Sequence, residues 1–398
     1  MTTKQTEVYI LQELIPGYRV PFFSRLAQLP GFNLTVFCSP LSQIRTEAGF
    51  AQNLAEESLN YRIIPSLKLG KRVYQLSFLW HLIRRRPDLV VCGKTGALDS
   101  LLFLFAARML GIKFLWWAGG TPFIEEREVK RADAGGRWAR LFGNSHPRRK
   151  LLFLADGMIV YSEHARAYYS SIGYPEAQIF VAPNSPDTNR LVELQQEQHS
   201  SAITALRRRF APEAGLLLLM IGRLDSAHRI DDLLRAVALL QPESPNLSLL
   251  LVGSGRERMA LQQLSAELGL TRVTFVEATY DDALLADYLA ACDILITPGG
   301  ATLSIEMAMT FGKPVVSCDR GLQVHTIRDG WNGFVFPHSD YRALADRIGR
   351  IVNDEAVMRE MGNNASHTIT TTVNMDRMMT GFQEALESCS SEEQQRAV

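Results

Sequence analysis

Short apolar runs alternate with stretches of helical spacing along nearly the whole chain. Val8 to Gln12, Leu34 to Cys38, Leu89 to Cys92, Lys113 to Trp117 and Gly157 to Tyr161 read as strands separated by helical patterns. A polar stretch, roughly Thr188 to Ser201, interrupts the series and reads as a linker. The pattern then resumes with strands at Leu216, Leu247, Val273, Asp293, Val315 and Phe334. Unbroken apolar strands such as Leu216 to Ile221 belong in parallel sheets covered on both faces. Two such series predict an α/β protein of two doubly wound parallel sheets, with ligands taken in the cleft between them. The predicted domains are 1–190 and 191–370. Residues 371–398 read as a terminal helix and a polar tail, with Met378, Met379, Phe382 and Leu386 at helical spacing.

The densest chemistry lies in Asp293 to Cys318. A strand leads into the turn Pro298-Gly299-Gly300, then into a helix carrying Glu306, which Gly312 and Pro314 stop. A glycine turn opening on a helix start is an anion seat, lined here by Gly299, Gly300, Ala301, Thr302 and Leu303. Glu306 stands one helical turn deeper and is suited to accept hydrogen bonds from hydroxyls beside the anion. A diphosphate on the turn and a ribose on the carboxylate describe a nucleotide-sugar site. A second phosphate-type feature lies upstream. The strand Leu216 to Ile221 ends in Gly222-Arg223-Leu224, with His228 and Arg229 just before the next helix. An arginine directly after a buried strand lands at the carboxyl edge of the sheet, where such folds bind ligands. Arg223 and Arg229 both offer planar forks to phosphate oxygens. Gly253-Ser254-Gly255 lacks the third glycine of a dinucleotide fingerprint and reads as a tight turn near the nucleotide.

In this order and spacing the pieces resemble the retaining glycosyltransferases of family 4, the group 1 glycosyltransferases. They are Gly222-Arg223-Leu224, Val252 to Gly255, Asp293 to Pro298, Ile305 to Ala308 with Gly312 to Val316, and Asp329 to Phe334. Tyr161 to Glu163 and Pro183 to Asp187 look like that family's inter-domain segment. The resemblance implies the GT-B fold, two Rossmann-like domains with the terminal helix crossing back to the first. It implies transfer with retention, the departing phosphate helping to take the acceptor proton. It also implies that Gly17 and Thr279 join the nucleotide-sugar set already named, with Arg223, Arg229 and Glu306 as the catalytic group. The chain departs from the pattern in three places. The first of the family's two glutamates is replaced by Pro298. Its Lys-Gly appears as His228-Arg229, and its acceptor-domain histidine is not evident in Trp116 to Gly120.

No HExxH pair, G-x-S-x-G elbow or Asp-x-Asp pair occurs, so no metal or cofactor is expected. The leaving diphosphate then has to be met by Arg223, Arg229 and the glycine turn. The expected function is transfer of a sugar from a nucleotide diphosphate sugar to a glycan or lipid-linked acceptor, and the family resemblance implies a setting in bacterial surface polysaccharide or lipopolysaccharide assembly. The rivals are a sugar-nucleotide epimerase using the same seat and a non-catalytic nucleotide-sugar-binding subunit.

Composition adds two points. The chain has 398 residues, 46% of them apolar, enough for two cores. Of its five cysteines, Cys38, Cys92, Cys292 and Cys318 read as buried small hydrophobes in a reducing compartment, and no signal peptide is read at the N-terminus. The net charge of zero conceals a basic half: residues 1–190 hold 24 Lys and Arg against 15 Asp and Glu. Such a half faces a polyanion or an anionic membrane. Residues 127–154 interleave basic and large apolar side chains, which predicts a lipid-facing surface of Arg137, Trp138, Arg140, Arg148, Arg149 and Lys150. Arg84 to Arg86 read instead as helix-end residues complementing the dipole. No nucleic-acid motif accompanies the charge. The expected location is cytoplasmic, with peripheral contact to the inner face of the plasma membrane.

Overall fold

The computed structural model describes residues 5–40, 59–69, 72–93, 98–119, 151–197, 200–212, 215–300 and 303–396. The chain divides into two compact units, Met1–Pro183 with Asp376–Val398, and Asn184–Met375.

The first unit is built on a sheet of β1 (Thr6–Leu11), β2 (Phe32–Cys38), β3 (Tyr61–Ile63), β6 (Leu89–Cys92), β7 (Lys113–Gly119), β8 (Gly157–Val160) and β9 (Ile179–Val181). Its order is β3-β2-β1-β6-β7-β8-β9, and every pairing is parallel. β4 (Leu67–Leu69) and β5 (Arg72–Tyr74) pair antiparallel outside it. The central strands are buried throughout, as their unbroken apolar runs require. The terminal helix Met375–Arg396 closes one side of this core. Its Phe382 ring lies 4.8 Å from Phe22 and 4.6 Å from Trp117, and Gly381 lets the helix backbone meet that of Val181.

The second unit holds β10 (Leu217–Ile221), β11 (Ser248–Val252), β12 (Val273–Val276), β13 (Ile294–Thr297), β14 (Val315–Cys318) and β15 (Gly333–Phe336), in the order β12-β11-β10-β13-β14-β15. All pairs are parallel. Strand order reverses between β10 and β13, so the loops leaving these two neighbours diverge and open a crevice at their carboxyl ends. Both predicted phosphate motifs sit on those two loops.

The stretch expected to be a linker is folded. Thr188–Glu197 forms a helix that buries Leu191 and Leu194, and Ser200–Phe210 forms another. Two apolar positions one turn apart suffice to anchor an otherwise polar helix. The Thr188 hydroxyl accepts from the Met375 backbone N–H at 3.1 Å, tying the two ends of this unit together. All five cysteines are buried free thiols, and among the described residues no helix is long and apolar enough to cross a membrane.

Candidate functional site

The loop after β10 continues the sheet ladder before it turns away. Gly222 N–H donates to Val252 O at 3.0 Å and Leu224 N–H to Ser254 O at 2.9 Å. The two loops run so close that a Cβ on Gly253 would overlap the Gly222 carbonyl, and one on Gly255 the Leu224 backbone. Close backbone approach is therefore what these glycines supply. Arg223 projects from this ladder, its side chain 75% exposed and 3.5 Å from Asp225.

The short turn Ser226–His228 follows. Nδ1 of His228 lies 2.6 Å from Asp225 Oδ1. Burial works to raise the Asp225 carboxyl, but the bond and charge of His228, with the charge of Arg223, hold it below its ordinary value. The His228 ring lies beside Gly222, and its Nε2 has no hydrogen-bond partner among the described residues. Arg229 has a left-handed backbone, φ 49°, and turns its guanidinium onto Asp232 at 2.7 Å and Asp231 at 3.7 Å. Asp232 is only 5% exposed, so this fork is engaged in the protein's own structure.

The turn after β13 meets the first one. A Cβ on Gly299 would overlap the backbone of Ala227 and His228, so this glycine lets the two loops touch. Gly300 has φ 151°, a conformation side chains rarely adopt. Ala301 and Thr302 lie outside the described residues. Leu303 precedes the helix Ser304–Thr310, which ends before Gly312, φ 65°.

Glu306 is on that helix and is 1% exposed. Its Oε1 accepts from Thr326 Oγ1 at 3.2 Å, while Oε2 is buried without a hydrogen-bond partner among the described residues. Burial pushes this carboxyl well above its ordinary value, outweighing hydrogen bonds from its own backbone N–H and from Thr326. Thr326 is held by Asn332, whose Nδ2 donates to the Thr326 carbonyl at 3.1 Å and to Thr368 Oγ1 at 2.9 Å.

Other predicted residues are spread more widely. Thr279 follows β12, the edge strand two places from β10, and accepts from the Asp281 N–H at 3.1 Å. Gly17 begins the turn Gly17–Arg19 after β1 and belongs to the first unit. Arg137, Trp138, Arg140, Arg148, Arg149 and Lys150 lie outside the described residues. Sequence reasoning passed over Thr326 and the Asp225–His228 pair, and read Asn332 only as part of the piece Asp329 to Phe334. It also missed Arg320, exposed just past β14 with its carbonyl 3.7 Å from the position of a Cβ on Gly300. Asp319-Arg320 directly after a buried strand repeats the Gly222-Arg223 arrangement, and that signal was there to be read.

Comparison with known proteins bears on the family and the fold. Residues 204–368 match the family described as glycosyl transferases group 1. Over 188 residues the chain is 31% identical to a D-inositol 3-phosphate glycosyltransferase of Streptomyces griseus subsp. griseus, covering 44% of this chain and 40% of that protein. It is 26% identical over 224 residues to a GDP-mannose-dependent alpha-(1-6)-phosphatidylinositol monomannoside mannosyltransferase of Mycolicibacterium smegmatis, covering 54% of this chain and 57% of that protein. The chain thus spans about half the length of the curated relatives it matches. The crystal structure of Anabaena HepE in complex with UDP superposes with a TM-score of 0.72 at 18% identity, covering 96% of this chain and 100% of that one. The match to the group 1 glycosyl transferases thus falls within the second unit, in a chain that has the GT-B fold.

Proposed function

We propose that the chain is a glycosyltransferase. It takes a sugar from a nucleotide diphosphate sugar and passes it to a glycan or lipid-linked acceptor, with retention and without a metal. The observation that carries this reading is the Glu306 carboxylate, fully buried at the carboxyl edge of a doubly wound sheet with one oxygen unpartnered among the described residues. A buried polar atom without a partner costs free energy, so its retention needs a reason. Paired ribose hydroxyls donating to both oxygens supply one. Beside it, Arg223 and the glycine turn meet the diphosphate, whose charge grows as the anomeric C–O bond breaks.

The second phosphate contact in this reading is His228. Asp225 holds its Nδ1 and so fixes the ring, turning Nε2 to a phosphate oxygen. Arg229, paired with Asp232, serves the turn itself. Relatives named for GDP-mannose and a fold neighbour bound to UDP leave both bases as donors to try. Surface polysaccharide or lipopolysaccharide assembly is the setting the resemblance favours.

The test is a panel of UDP- and GDP-sugars with lipid-linked and glycan acceptors, run with and without a chelator. Nucleotide release that needs an acceptor and ignores the chelator is expected. An isomerised free donor would make the protein an epimerase. Binding without any turnover would make it a nucleotide-sugar-binding subunit, the reading favoured by Pro298 in the place of a donor-contacting glutamate.

A further inference from the structure

The first unit carries a surface poorly suited to remain in water. In the β4–β5 hairpin, Leu67 and Leu69 are both exposed. A two-stranded hairpin is marginal unless an apolar face packs on something. The chain runs on through exposed Leu76 into the helix Phe78–Arg85. That helix buries Phe78 and Leu82 but turns Trp80 and Ile83 outward, each 59% exposed. The helix Leu98–Met109 packs beside it, and exposes Leu98, Leu102, Phe105 and Met109 at the spacing of one helical stripe. Water-soluble proteins seldom leave apolar surface on this scale uncovered.

The charge on these elements has one sign. Arg62, Lys68, Arg84, Arg85 and Arg86 are all exposed. Among the described residues of 59–93 the sole carboxylate is Asp88, whose Oδ2 accepts from the Glu7 backbone N–H at 2.8 Å. Asp99, at the start of the neighbouring helix, is buried and accepts from the Gln75 N–H at 3.0 Å. A second copy of the chain is a poor occupant, because a two-fold contact would set the arginine cluster near its own image. A surface of lipid phosphates over an apolar interior matches both features at once.

We propose that the β4–β5 hairpin and the helix Phe78–Arg85 dock on an anionic lipid bilayer. Leu67, Leu69, Trp80 and Ile83 enter the headgroup region, and Arg84, Arg85 and Arg86 meet lipid phosphates. This contact uses none of residues 127–154 and does not depend on the transferase reading.

The full chain should sediment with vesicles of phosphatidylcholine and phosphatidylglycerol, less so as salt rises, and not with phosphatidylcholine alone. Replacing Arg84, Arg85 and Arg86 together by Ser should lower partitioning about 100-fold. Trp80→Ser with Ile83→Ser should lower it at every salt concentration. Brominated lipids should quench fluorescence in the parent and quench it less in Trp80→Phe. Nucleotide affinity, measured in parallel, should be unchanged in each variant, which shows that the fold is intact and separates this test from that of the transfer reaction. Binding that survives both sets of changes overturns the proposal and moves the contact elsewhere in the chain. Equal binding to neutral vesicles also overturns it. So does an absence of vesicle binding, whether the protein stays monomeric or forms a dimer that these variants abolish.

Discussion

Glu306 combines two properties that rarely coexist in a carboxyl group kept for stability: complete burial and an oxygen without a partner among the described residues. Burial holds its proton more tightly in the folded chain than in the unfolded one. Its contribution to stability is therefore complete below the unfolded value, about 4.3, and is lost as pH rises through the folded value. Glu306→Gln should flatten that loss, with urea midpoints in mildly alkaline buffer equal to or above the parent's. The same substitution should weaken nucleotide binding, because the hydroxyls lose a charged acceptor worth about 1.5–3 kcal/mol. In the parent, affinity should rise with pH as the proton leaves, and calorimetry in buffers of different ionisation enthalpy should register its release. Unchanged affinity in Glu306→Gln would remove this residue from the site. Arg223, His228 and Arg229 separate by the same logic. Arg229→Ala leaves the nearly buried Asp232 without its partner and should lower stability by about 1–3 kcal/mol, with turnover kept. His228→Ala and Arg223→Ala should do the reverse, Arg223→Ala lowering kcat about 100-fold. Steady-state kinetics beside thermal melts will tell the two patterns apart.

At the scale of elements, the seat exists because two loops touch. Gly299 rests on the backbone of Ala227 and His228, with no room for a side chain. Gly299→Ala should force the loops apart, cost about 1–3 kcal/mol and weaken nucleotide binding, read by calorimetry. Gly269→Ala, at a helix end where a Cβ meets nothing, tests backbone strain alone, φ 69°, and should leave that affinity intact. The elements themselves were readable to different degrees. The long buried strands announced themselves as apolar runs. β3, β9 and the β4–β5 hairpin did not, since three residues carry too little pattern to register. The helix Thr188–Glu197 hid behind its polar face.

On the scale of the molecule, the terminal helix belongs to the core of the first unit although nearly two hundred residues separate it from that unit's last strand. Phe382 is fully buried against Phe22 and Trp117. Phe382→Ala should cost about 3–5 kcal/mol, and denaturant unfolding should lose stability in the first unit while nucleotide binding by the second persists. The charge pattern also works at this scale. A chain that is neutral overall has a basic first half, and part of that charge lies on the same exposed elements as the apolar side chains of the hairpin and the helix Phe78–Arg85.

The sequence by itself determined the two parallel sheets, because unbroken apolar strands spaced by helices have few other ways to be buried. It also determined that Gly222-Arg223 and Pro298-Gly299-Gly300 follow buried strands, and so reach the carboxyl edge. Tertiary structure alone decided which charges remain open. The contact of Arg229 with Asp232 depends on a left-handed backbone at one residue, and that of Glu306 with Thr326 joins positions twenty residues apart. Periodicity reports which face of an element is buried. It does not report which side chains from separate loops converge, because that is set by strand order and by glycines that let backbones meet.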